Sequence, residues 1–116
     1  MMTNDEMDTV FHALAHEHRR HILDLVKARP GLSVGMLAQS FDVSRIAVMN
    51  HLAVLQRAGL VISEKDGRSR RLYLNTVPIQ LIHDRWTTDY SAHWAARLTD
   101  IKFASEAAAR ARQGKK

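Results

Sequence analysis

Residues 44–61 read SRIAVMNHLAVLQRAGLV. Ser44 suits a helix N-cap, where its hydroxyl accepts from an early backbone amide. Val48, His51, Leu52 and Leu55 then recur at steps of three and four, which is one stripe of a helix of period 3.6. Ala58-Gly59 ends it, because glycine tolerates the left-handed backbone of a C′ position. Arg45, Ile46, Met49, Asn50 and Ala53 fall on the opposite, outward stripe.

The neighbours of this helix decide what it is for. Upstream, Ser33 caps a short helix in which Val34, Leu37, Ala38 and Phe41 point inward, stopping near Ser40. Only "FDVS" separates the two, and Phe41 and Val43 pack the turn. A short helix, a tight turn and a longer capped helix is a helix-turn-helix, here about 33–58. Downstream, "LVISEK" and "RRLYL", rich in Val, Ile, Leu and Tyr, flank "DGRS", where Asp-Gly is a hairpin signal. The spacing therefore predicts a two-stranded wing over about 60–74. Lys65, Arg68, Arg70 and Arg71 make it basic.

Two helices precede this unit. Met7, Val10, Phe11 and Leu14 share a face over about 5–15, and Ile22, Leu23, Leu25 and Val26 follow over 17–28, ended by Pro30-Gly31. After the wing, Pro78 suits a first helical turn, and Ile79, Ile82, Trp86, Tyr90, Trp94, Leu98 and Ile101 continue at helical steps. An unbroken helix over about 78–110 would be roughly 48 Å long, against a radius of gyration of about 13 Å for a domain of this size. One protomer cannot bury such a face. A homodimer built on this helix and the first one is expected, through Val10, Phe11, Leu14, Trp86, Tyr90, Trp94, Leu98 and Ile101.

Composition narrows the function classes. Lys and Arg number 17 against 12 Asp and Glu, a net charge of +5 over 116 residues, so the outer field attracts polyanions. No cysteine is present, which removes disulfides and thiolate chemistry and fits a reducing cytoplasm. No apolar run reaches the roughly 18 residues of a membrane span, and no membrane partner is expected. Ser, His and Asp occur, but no nucleophile elbow, phosphate loop or HExxH pair frames them, so no catalytic residue is expected.

On this reading the outward stripe meets DNA. In a recognition helix the first turns reach base edges in the major groove. Arg45 suits guanine, Asn50 suits adenine, and Ile46 or Met49 suits a thymine methyl. Ser44 and the helix N-terminus suit a phosphate. His51, at the stripe boundary, contacts a phosphate or a neighbouring backbone group. Lys65, Arg68, Arg70 and Arg71 suit the flanking phosphate backbone. His12, His16, His18, His21, His83 and His93 raise a metal site. Scattered polar-face histidine explains them better, since no carboxylate stands at a ligand spacing, and neither metal nor cofactor is expected.

Three stretches, "FHALAHEHRRHILDLV", "LSVGMLAQSFDVSRIAVMNHLAVLQRAGLV" and "DGRSRRLYLN", resemble in this order the ArsR/SmtB-type winged-helix transcriptional repressors, over about Val10 to Asn75. The resemblance implies a bacterial homodimer that binds an operator in or near a promoter, usually repressing, and dimerises through its first and last helices. Ser33-Val34-Gly35 stands where thiolate sensors of the family carry a C-V-C pair, and Asp84-Arg85-Trp86 where a zinc type carries D-x-H. Trp86, Tyr90, Trp94, Arg97 and Leu98 instead resemble a non-metal branch. The expected protein is thus mostly α with a small β-hairpin, one winged helix-turn-helix domain over 1–116 with a long C-terminal dimerisation helix. Its expected role is a sequence-specific, homodimeric repressor. Two alternatives remain compatible with the residues: a metal-responsive repressor using His12, His16, His83 or His93 at the dimer interface, or a winged-helix protein-interaction module that does not bind DNA.

Overall fold

A computed structural model describes the backbone of residues 2–87 and 92–113, and the side chains of 2–87 and 97–111. The elements run α1 (Asn4–Leu14), α2 (Glu17–Ala28), β1 (Leu32–Ser33), α3 (Val34–Gln39), α4 (Arg45–Arg57), β2 (Val61–Asp66), β3 (Ser69–Leu74), α5 (Val77–Thr87) and α6 (Ala92–Gln113). The chain divides into two compact units, Met1–His83 and Asp84–Lys116. The first holds the core and the wing.

The core forms where the apolar stripes of α1 to α4 meet one face of the sheet. Ile22, Leu37, Leu52, Leu55, Leu60 and Leu72 are fully buried, with Val10, Val26 and Val48 beside them. At about 1.5–3 kcal/mol per fully buried aliphatic side chain, this cluster is the main source of the unit's stability. The expected stripe of α4 is the one that packs inward. On α1 the buried face is Met7, Val10 and Ala13, and Phe11 is left 46% exposed. Small Ala13 occupies the place where α1 meets the side chain of Arg19, whose Nε donates to the Ala13 carbonyl at 2.9 Å.

Caps set the helix ends. Thr3 Oγ1, Ser33 Oγ and Ser44 Oγ each accept from the amide three residues on, at 3.1, 3.2 and 3.1 Å. The α1–α2 corner is closed from the side. Arg19, only 8% exposed, donates from Nη2 to the His12 carbonyl at 2.9 Å as well as from Nε to Ala13, and Arg20 Nη1 donates to Leu14 at 2.7 Å. These are the last carbonyls of α1, beyond the reach of the helix's regular i+4 amides, and the His12 carbonyl also accepts from the Ala15 cap amide at 3.2 Å. Gly59 follows α4 with φ +75°, the left-handed C′ position the sequence points to.

The wing carries one strand more than expected. β2 and β3 pair antiparallel from Val61↔Leu74 to Asp66↔Ser69, and β1 pairs with the other edge of β3 through Leu32↔Leu72 and Ser33↔Arg71. The strand order is β1-β3-β2. Two residues make β1, too few for an alternating pattern, so it is invisible to periodicity. At the tip Gly67 has φ +59° and Arg68 does not, the sign pattern of a II′ hairpin turn. Asn75 then ties the wing to α4, its side-chain amide donating to Gly59 O at 2.8 Å and its own N–H to Leu60 O at 2.9 Å.

Of the helix expected from Pro78 to about Arg110, α5 and α6 are described, and residues 88–91 between them lie outside the described residues. Tyr90 and the side chain of Trp94 lie outside the described residues. On α6, Leu98, Ile101 and Phe103 are exposed. No helix among the described residues is long and apolar enough to cross a membrane.

Candidate nucleic-acid interface

The outward stripe of α4 is presented as the sequence implies. Arg45, Ile46, Met49 and Asn50 are exposed, Ile46 at 74%. An isoleucine that exposed costs nothing it could recover inside this chain, and it projects from the first turn of α4. Ser44 spends its oxygen on the cap, so what remains for an anion there is the hydroxyl proton and the free amides of the first turn.

The start of α4 and the wing share one concavity. A groove of about 390 Å³ is lined by Arg45 and Met49 from α4, by Ser33, Val34 and Gly35 at the start of α3, and by Arg68, Ser69 and Arg70 from the wing. Three guanidinium side chains therefore converge on one open groove. Lys65 stands directly opposite Arg70 in the β2–β3 register, so two cations share one face of the hairpin. Like charges placed opposite each other destabilise a sheet, and an anionic backbone laid along the wing would relieve that repulsion.

Not every cation of the wing is available. Arg71 was expected beside Arg68 and Arg70 as a grip on phosphate, but its Nε donates to Asp66 Oδ2 at 3.2 Å and its Nη1 to Gly31 O at 3.3 Å. It points to the other face of β3 and joins the wing to the turn after α2. Arg70 is partly engaged, with Nη1 donating to Ser63 Oγ at 3.2 Å. Arg68 and Lys65 are exposed.

His51 departs from the reading edge. It is half-buried and packs against the α1–α2 corner, its ring 4.4 Å from that of His16 and 5.6 Å from that of His18. Burial holds its pKa below the ordinary histidine value, and the neighbouring His16, Arg19 and His18 lower it further. The packing against His16 turns the ring toward the α1–α2 corner, where its pKa is lowered. Sequence offered no hint of this meeting, because His16 and His18 come from the N-cap and first turn of α2 and His51 from the second turn of α4.

Comparison with known proteins fits this geometry. The helix-turn-helix domain family matches residues 14–64, the segment from the end of α1 into β2. The HTH-type transcriptional regulator YuzN of Bacillus subtilis is 34% identical over 89 residues, 72% of this chain and 97% of that protein. Transcriptional repressor SdpR of the same organism is 32% identical over 74 residues, 64% of this chain and 81% of its own. The solved structure of an ArsR-like transcriptional regulator from Rhodococcus sp. RHA1 superposes with a TM-score of 0.66 at 36% identity, over 91% of this chain and 98% of that one. The chain belongs to the ArsR family of winged-helix transcriptional regulators.

As an ArsR-family protein it is a DNA-binding regulator of transcription, and its curated relatives hold a non-enzymatic role. Among the residues read as a dimer interface, Val10 is 1% exposed within its own chain and belongs to the protomer core. Leu14 is half-buried against that core. Phe11, Leu98 and Ile101 are exposed, as is Trp86, which lies beneath the Arg85 guanidinium at 5.9 Å.

Proposed function

We infer that this ArsR-family regulator is a homodimeric repressor that places two α4 helices in successive major grooves of a near-palindromic operator. The observation that carries this is the groove in which Arg45 and Met49 of α4 face Arg68 and Arg70 of the wing. A helix and a basic hairpin converging on one concavity fit a duplex edge, the helix entering the groove and the hairpin following the flanking phosphates. Arg45, Met49 and Asn50 are the reading residues, with Ile46 as an apolar contact. Lys65, Arg68 and Arg70 neutralise phosphate, and Arg71 positions the wing.

Dimerisation follows from the apolar surface left uncovered. Phe11 of α1, Ile79 and Leu81 of α5, and Leu98, Ile101 and Phe103 of α6 are all exposed. Large apolar side chains in such number mark an interface in a chain of this size. A partner copy supplies the second reading helix, with half-sites about one helical turn, roughly 34 Å, apart. SdpR is a transcriptional repressor, and steric occupation of a promoter requires nothing beyond tight operator binding.

Selection of bound fragments from the source genome tests the reading, followed by anisotropy titration on the selected and a scrambled duplex at physiological salt. One recurrent near-palindrome, bound by a species of twice the 13.2 kDa chain mass, is the expected result. A monomer, or equal affinity for both duplexes, would contradict it.

A further inference from the structure

We propose that His16, His18 and His51 form a binding site for a divalent transition metal of the zinc class, with three imidazole nitrogens as ligands and a fourth position open to water. One ring nitrogen from each residue lies within 4.8 Å of the others. The residues come from two separate parts of the chain. His16 is the N-cap of α2, His18 lies in its first turn, and His51 reaches across from α4. All three are half-buried, sheltered from bulk water but open to an ion.

The chemistry of the donors selects the ion. Imidazole suits zinc, copper and nickel, whereas calcium and magnesium take oxygen ligands, and no carboxylate belongs to this cluster. Three histidines and an exchangeable water form a known zinc coordination set, with Zn–N bonds of about 2.0–2.1 Å and tetrahedral nitrogens therefore roughly 3.3 Å apart. The observed separations, at most 4.8 Å, leave about 1.5 Å for the rings to close. Arg19 stands beside His51, and its guanidinium is turned to the His12 and Ala13 carbonyls.

Hydrogen bonding among the described residues engages one ring nitrogen of the three. His16 Nδ1 accepts from the His18 amide at 3.1 Å as the cap of α2. Metal binding at His16 exchanges that bond. At Nδ1 the ion takes the lone pair itself, and at Nε2 the ring proton moves to Nδ1, which can then no longer accept. The His18 amide is thus a built-in reporter of occupancy. A bound ion would staple the reading helix to the α1–α2 corner, a contact made inside one protomer rather than between two.

The test is a titration of the full chain with zinc chloride by calorimetry, and with cobalt chloride by visible absorption, in the absence of DNA, so that its outcome is independent of the operator proposal. One ion per chain is expected at micromolar affinity or tighter, with the d–d bands of tetrahedral cobalt and a shift of the His18 amide resonance. His18→Gln leaves the backbone donor of the cap in place, and His16→Asn keeps a side-chain oxygen able to cap. Each should weaken zinc binding at least about tenfold, a loss at or beyond that seen for outer-shell partners, while His21→Gln should leave it unchanged. Binding weaker than micromolar, or retained within tenfold by both ligand variants, would overturn the proposal.

Discussion

Replacing Arg19 by alanine should remove more stability than any other charged-to-alanine change in the winged unit. The side chain is 8% exposed and makes two bonds, Nε to Ala13 O and Nη2 to His12 O, both 2.9 Å. Hydrogen bonds to a charged donor contribute about 1.5–3 kcal/mol each, and a buried carbonyl left without a partner bears its own desolvation cost. The two bonds share one guanidinium and are not additive, so a total loss of about 3 kcal/mol is expected. For a unit of 60–100 residues this lowers Tm by about 12–24 °C. Urea denaturation followed by circular dichroism reads the loss directly, and Arg19→Lys should recover only part of it, because an ammonium cannot present two parallel donors. Arg20 provides the comparison, since its single bond to Leu14 O is exposed and its removal should cost under about 1 kcal/mol. A loss below about 1 kcal/mol for Arg19→Ala would refute the view that this arginine closes the end of α1.

Other substitutions separate the roles assigned along the interface. Asn50→Ala should relax sequence preference at one operator position by about 1–3 kcal/mol of discrimination, measured by competition among single-base variants. Arg68→Ala should weaken all duplexes alike and reduce the slope of log K against log salt by about 1. Arg71→Ala should leave that slope closer to wild type and act through the wing, with hydrogen exchange rising along β2 and β3, because its donors serve Asp66 and Gly31. Gly59→Ala should cost about 1–2 kcal/mol through its left-handed backbone, as the added carbon meets only Pro78 Cγ at an unstrained 3.7 Å. A cost below about 0.5 kcal/mol in thermal melts would argue that α4 ends differently.

Most of the reading unit was legible because its signals are local. Ser33 and Ser44 cap the helices expected of them, Val48, Leu52 and Leu55 bury the stripe their spacing draws, and the hairpin turns at Gly67-Arg68, within the stretch that signalled it. What escaped the sequence was set by contacts between distant segments. Arg19 looks like part of a polar run, and nothing local says that it folds back on α1. Arg71 resembles Arg68 and Arg70 by type, yet the pleat of β3 and the position of Gly31 give it another partner. The histidine cluster is the clearest case, because His51 reaches His16 and His18 only after α4 has packed on the α1–α2 corner.

The central claim is that α4 and the wing together read a particular DNA sequence. Anisotropy titration of a genome-selected duplex, in parallel with single-base variants and a scrambled control at physiological salt, measures it most directly. A specificity ratio of at least about a thousand, in the range usual for specific regulators, with the loss confined to two half-sites one helical turn apart, is the result the structure leads us to expect. Equal affinity for every duplex, with the same steep salt dependence, would contradict it.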